Sequence, residues 1–247
     1  MDNINVASIQ AMLIHADPML SILFSKVPVV NFQEIHKAPY VACIGAIIGQ
    51  IITYKQAKEI RGKLYTRVGT QFSMSQIQQL IAENFFPTRV QSIVQNLNNY
   101  LLSLNNKNKD INILNSEIER TNVSLDLDID INFDINIDSS NTMNLEQEAT
   151  NRMNDPSFSL DSLLVVEGIG PWTITVTKLT AFTDMDLFPP EDLFLRKRLA
   201  KLICLYNNDV SNNTSKSVTA REALEMSQKW RPYRSIVTWY LWRWFDT

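Results

Sequence analysis

EGIGPWT, Glu167 to Thr173, holds two of the chain's six glycines one residue apart and follows them with Pro171 and Trp172. The flanks, SFSLDSLLVV before it and PWTITVTKLTAF after it, both read as helices. The unit is therefore helix, four-residue hairpin, helix. Gly168 and Gly170 allow a tight turn with positive φ and a close approach of the backbone to something outside. Ile169 between them can plug back into the core. Pro171 suits a first helical turn, where a missing N–H costs nothing. The second helix then starts with its amides and positive dipole end facing outward, a site for an anion such as phosphate. Thr173 can add a hydroxyl. A lone G-x-G between helices favours a plain corner without a ligand, so the longer context decides.

That context is helical throughout. Capping boxes, in which a hydroxyl residue and a Gln or Glu three residues later each satisfy a helix-end N–H, occur at Thr53–Gln56, Ser73–Gln76, Thr88–Gln91 and Thr219–Glu222. Apolar stripes at helical spacing follow them: Ala57, Ile60, Leu64 and Val68; Ile77, Leu80 and Ile81; Val90, Ile93, Val94 and Leu97. Val41, Ile44, Ile47 and Ile48 mark a helix apolar enough to be buried. Helices are expected over about 171–182 and 232–245, with Pro232 in a first turn. Another begins near Pro189–Asp192.

One segment departs from this pattern. LDLDIDINFDINID, Leu125 to Asp138, alternates like a strand. It lies in an Asn- and Asp-rich tract over 105–156, with eleven acids against four bases. The tract carries −7, which leaves +4 on the rest of a chain whose net charge is −3. Its composition predicts a mostly disordered surface insertion. Residues 1–104 are then an N-terminal helix and first helical lobe, and 157–247 the hairpin with the C-terminal helices. The basic remainder is compatible with a phosphate backbone.

Composition excludes several classes. Two isolated cysteines, Cys43 and Cys204, make neither a zinc ribbon, an iron–sulfur site nor a disulfide framework. His15 and His36 alone do not suggest a histidine metal site. The start, MDNINVASIQAMLIHADPML, lacks a basic signal-peptide head, and no run reaches the roughly 20 apolar residues of a membrane span. A soluble intracellular monomer is expected, nuclear in a eukaryote and cytoplasmic otherwise.

The hairpin resembles that of the helix-hairpin-helix DNA glycosylases, and within them the AlkA-like 3-methyladenine DNA glycosylase II group. IIGQIITYKQAKEIRGKLY, FPTRVQSIVQNL, GIGPWT, DLFPPEDLFLRKRL and KWRPYRSIVTWYLW follow in that family's order, covering about 16–104 and 157–245. The resemblance implies an all-α, two-lobed fold with the Asn/Asp-rich tract as an insertion. It implies excision of alkylated purines from double-stranded DNA by base flipping and hydrolysis of the N-glycosidic bond. No cofactor is required; Na+ or K+ would sit at the hairpin on the carbonyls of Leu164, Val166 and Ile169.

The resemblance also distributes roles. Asp192 takes the position of the catalytic aspartate, where a helix dipole stabilises a carboxylate; read alone it is equally an N-cap, and Glu191 is the second choice. A fixed carboxylate stabilises the oxocarbenium-like sugar and can orient water. Trp172 and Trp242 match pocket-lining positions, whose faces attract a cationic alkylated base. Val176 stands where the family has Tyr, and Glu167 where it has Pro. Related lyases place a lysine at the position of Trp172, so a monofunctional enzyme is expected. Ile51 matches the residue that fills the hole left by the flipped base, and Gln50 either contacts the duplex or caps its turn. Gly168, Ile169, Gly170 and Thr173 would contact DNA, with Lys178, Arg196 and Lys201 as flanking bases. A non-catalytic DNA-binding module, or a glycosylase for hypoxanthine or etheno adducts, is the alternative.

Overall fold

The apolar stripes read from the sequence are the inner faces of helices. The computed structural model describes residues 6–29, 37–50, 54–121, 139–181, 184–208 and 217–244, with side chains left undescribed at Tyr54 and over 106–143. No strand occurs among these residues; the alternating segment 125–138 lies outside them. The chain divides into a central unit, 38–169, and a terminal unit in which 1–37 joins 170–247.

The central unit is built from α3 (Pro39–Gly49), α4 (Tyr54–Val68), α5 (Met74–Ala82), α6 (Thr88–Thr121) and α7 (Ser139–Asn154), followed by a short 3-10 helix, Leu160–Val165. Helix α3 is buried along nearly its whole length, as its all-apolar sequence requires. Ala57 and Leu64 of α4, Ile77 and Leu80 of α5, and Val90, Val94 and Leu97 of α6 are buried with it. The Ser73 capping box forms at the start of α5. Thr88 is already inside α6 and so does not cap it. Thr53 lies outside the described residues.

Two sequence expectations are corrected here. Helix α6 runs into the Asn/Asp-rich tract and α7 is formed from its end, so 105–156 is not a mostly disordered insertion over its described parts. Leu145, Ala149 and Met153, spaced four apart, form an inward stripe in which Ala149 and Met153 are fully buried. Helix α7 also supplies caps: Asn154 Oδ1 accepts the Tyr40 N–H of α3 at 3.0 Å, and Thr150 Oγ1 accepts the Met74 N–H of α5 at 3.0 Å. These bonds satisfy first-turn donors that have no intrahelical acceptor. Secondly, residues 1–37 do not belong with the lobe that follows them.

The terminal unit contains α1 (Val6–Ala16), α2 (Leu20–Lys26), α8 (Pro171–Ala181), α9 (Leu193–Tyr206), α10 (Ala220–Ser227) and α11 (Arg234–Arg243). Ile9, Leu13, Leu20 and Leu23 from the N-terminal helices share one core with Leu195, Leu199, Leu202, Trp230 and Tyr240. That shared apolar surface explains why the chain's beginning joins its end. The Thr219 capping box forms at α10. Pro232 precedes α11 rather than opening it, because the helix begins at Arg234.

A polar tie crosses this core. Trp230 is fully buried and donates its indole N–H to Asp17 Oδ2 at 2.9 Å; the Lys229 ammonium lies 3.0 Å from the same oxygen. Removing Asp17 leaves a buried donor without its partner. Asp17→Ala is therefore expected to cost about 1–3 kcal/mol of unfolding free energy, measured by urea denaturation.

Candidate active site

The hairpin closes through one bond, from the Ile169 N–H to the Val166 carbonyl at 3.0 Å. Gly168 is its third residue, with φ +90°, as a type II turn requires. A Cβ at Gly168 would lie 2.5 Å from Ile93 Cγ1 of α6. Gly170 differs from expectation: its φ is not positive, and a Cβ there would meet nothing within 4 Å. Its carbonyl accepts the Ile174 N–H at 3.2 Å and so starts α8. The helix before the turn is a short 3-10 helix, Leu160–Val165. Ile169 is buried, as its place between the glycines predicts. Thr173 is buried too, 1% exposed, so its hydroxyl is not presented to an outside phosphate.

Two amide side chains hold the turn from within the central unit. Gln50 Nε2 donates to the Gly168 carbonyl at 3.0 Å, and Asn96 Nδ2 to the Glu167 carbonyl at 3.3 Å. Gln50 thus bonds the hairpin turn. Asn96 was not legible as a site residue, although it follows Ile93 by one helical step of three. Ile51 lies outside the described residues.

Asp192 occupies the N-cap of α9. Its backbone N–H closes a turn on the Pro189 carbonyl at 3.1 Å, so the two prolines set the approach. Its two oxygens have separate duties. Oδ1 accepts the Leu195 N–H at 3.0 Å, which is the cap. Oδ2 accepts the Trp172 indole N–H at 3.3 Å and the Trp242 indole N–H at 3.1 Å. The N-cap reading of Asp192 is met by one oxygen, while the other oxygen faces the two indoles. An ionised carboxylate offers about four acceptor positions, two on each oxygen; the indoles fill those of Oδ2, so the open one is on Oδ1 beside the Leu195 bond. Glu191 is exposed and takes no part in the cluster.

The indoles are themselves supported. Trp239 packs edge-on against Trp242, centroids 5.4 Å apart and planes at 83°. The Arg243 guanidinium lies 5.7 Å from the Trp239 ring centre. Val176 is one turn beyond Trp172 on α8 and only partly buried. Trp172, Asp192 and Trp242 all belong to the terminal unit. Of the bases expected beside them, Arg196 is turned to the Val218 carbonyl at 3.1 Å, and the Lys201 ammonium lies over the Trp244 ring at 5.5 Å. Among the described residues, no group of His, Cys, Asp or Glu is arranged to hold a metal ion.

Two substitutions separate these elements. Gly168→Ala is expected to destabilise the central unit by at least about 1–2 kcal/mol, the cost of a left-handed L-residue, with the Ile93 contact added; thermal unfolding measures it. Trp242→Phe keeps an aromatic ring, though a smaller one, and deletes one donor to the carboxylate. Hydrogen bonds to charged groups are worth roughly 1.5–3 kcal/mol. The pair is part-buried, so a loss near the lower figure is expected in chemical denaturation.

No protein-family model matches the chain. Similarity to curated proteins is confined to about a third of it. Over 81 residues it is 37% identical to a protein of Mycobacterium tuberculosis described as a probable bifunctional transcriptional activator/DNA repair enzyme AlkA, matching 32% of this chain and 14% of that one. Over 82 residues it is 29% identical to a DNA-3-methyladenine glycosylase of Bacillus subtilis, matching 33% of this chain and 24% of that one. The match thus spans less than a quarter of either relative. In fold it is similar to the 3-methyladenine DNA glycosylase Mag1 of Schizosaccharomyces pombe, solved in complex with abasic DNA, with a TM-score of 0.51, 15% identity and 95% of each chain covered. Fold along nearly the whole chain, and sequence over a third of it, thus meet the resemblance carried by GIGPWT: the chain is similar to the AlkA-like 3-methyladenine DNA glycosylases.

Proposed function

We propose that the protein is a monofunctional DNA glycosylase that excises alkylated purines of the 3-methyladenine type. The observation that carries this reading is the Asp192 carboxylate, nine-tenths buried and fixed between two indole N–H groups and a helix cap. An ordinary N-cap needs only the backbone bond. The additional indoles hold a carboxylate oxygen beside aromatic surface, which is what a reaction developing positive charge on a sugar requires.

The damaged nucleotide is turned out of the duplex, since its glycosidic bond cannot be reached in the stack. The Trp172 and Trp242 rings receive the base; an N3- or N7-alkylated purine is cationic, and aromatic faces attract it. As the base leaves, Asp192 stabilises the oxocarbenium-like sugar. Its open acceptor position takes a proton-side contact from the attacking water. Trp172 has no amine to form a Schiff base, so hydrolysis leaves an abasic site and an intact strand.

The partner is double-stranded DNA with a damaged base, held at the hairpin amides; the chain acts as a monomer. Among the described residues, no helix is long and apolar enough to cross a membrane. A Na+ or K+ ion would be held by the carbonyls of Leu164, Val166 and Ile169, neutral oxygens of the kind such ions take. The Val166 carbonyl has a second lone pair beside its bond from Ile169, and the Gln50 and Asn96 amides occupy other carbonyls. Bound there, the ion would add positive charge at the phosphate site.

Base release from methylated duplex DNA tests the reading. Asparagine caps helices as well as aspartate, so Asp192→Asn retains the cap but not the charge. Wild type is expected to release methylpurines and Asp192→Asn to be slower by about 10²-fold or more. Equal rates would remove Asp192 from the mechanism. Binding without release by wild type would leave the non-catalytic module or, given Val176, a lesion such as hypoxanthine or an etheno adduct.

A further inference from the structure

We infer that Asn96 is a positioning residue for DNA binding, aiming the Gly168 amide by fixing the central peptide of the hairpin turn; this rests on the glycosylase reading above. Type I and type II turns differ chiefly by rotation of the peptide between their second and third residues. In the Val166–Ile169 turn this is the Glu167–Gly168 peptide. Its carbonyl is the one that accepts from Asn96 Nδ2 at 3.3 Å.

A trans peptide is planar, with C=O and N–H on opposite sides. Holding the Glu167 carbonyl toward α6 therefore sends the Gly168 N–H the other way. Gly168 is exposed, so that amide is offered to a ligand. If the peptide rotated, the carbonyl would face outward instead, and a phosphate would meet an acceptor where it needs a donor.

Neighbouring contacts hold the following peptide. Ile93, three residues before Asn96 on α6, occupies the space a Gly168 Cβ would need. Gln50 takes the Gly168 carbonyl at 3.0 Å. The Gln50 bond is made to the Gly168 carbonyl and not to that of Glu167. Glu167 itself cannot preset the turn as a proline would, since its φ is free. Asn96 is the side chain that supplies the constraint on this peptide.

The test uses the full chain with Asn96→Ala and Asn96→His. Asn96 is half-buried on a helix surface and alanine is the best helix former, so the first variant keeps the fold, checked by thermal melting. The second carries a ring N–H donor near the position of the lost amide. Binding is read by fluorescence anisotropy on a duplex containing a tetrahydrofuran abasic analogue, and chemistry by single-turnover base release at saturating protein. Asn96→Ala is expected to bind about 5- to 10-fold more weakly, by the same factor at low and high salt because no cation is removed. Its saturated rate is unchanged, since Asp192 is untouched, and Asn96→His recovers most of the affinity. Wild-type affinity in Asn96→Ala overturns the inference, as does an affinity loss that His does not repair at an unchanged melting temperature, or a fall in saturated rate alone. A wild-type protein that neither binds nor releases base overturns the glycosylase reading itself, and this inference with it.

Discussion

The division of labour within the Asp192 carboxylate is the constraint on which the terminal unit depends. Three N–H groups from three helices converge on it: Trp172 on α8, Leu195 on α9 and Trp242 on α11. The donors are separated by 20 and 50 residues along the chain from the acceptor in the two indole bonds, so the carboxylate ties elements that local sequence cannot. Aspartate suits the place because its short side chain reaches the amide three residues on while its second oxygen faces sideways. The same bonds prevent the carboxylate from turning. Orientation fixed before the substrate arrives costs nothing at the moment of reaction, and in the proposed mechanism that is the advantage of a site built into a cap.

Much of this was legible because the signals are local. The hairpin, the buried α3, the stripes of α4 to α6, the Ser73 and Thr219 boxes and the position of Asp192 each depend on residues within one or two helical turns. What was not legible depends on pairings across the chain. Residues 1–37 join the C-terminal helices because Leu20 and Leu23 share a core with Leu199 and Tyr240, and nothing in a linear reading selects that partner. The acidic tract misled for a different reason. Its Asn and Asp content outweighed the Leu145, Ala149, Met153 spacing, although four-residue spacing was available as a helix signal. Composition speaks for the average of a segment, and α7 is an exception within that average. Asn96 lies in plain view on a predicted helix, but only the position of the hairpin beside α6 gives its amide a function.

The two glycines of the opening stretch also separate once they are given geometry. Both suggested a positive φ. Only Gly168 has one, and only there would a Cβ collide with Ile93. At Gly170, among the described residues, nothing stands where a Cβ would be. An internal constraint explains the first glycine, and the proposed approach of a phosphate accounts for the second.

The charge balance gives the hairpin further weight. With Arg196 bonded to a carbonyl and Lys201 over an indole, two of the cations nearest Asp192 in sequence already have structural work. A chain of net −3 does not gather DNA by bulk attraction. Under the proposed function the oriented backbone dipoles of the hairpin add a grip whose strength depends on direction rather than number. A lysine can reach toward a phosphate from many positions, whereas a peptide N–H works only if its plane is held. Under the proposed function, that is what is gained by holding the peptides of one turn with separate side chains, Asn96 on the first and Gln50 on the second, backed by Ile93 against the glycine between them.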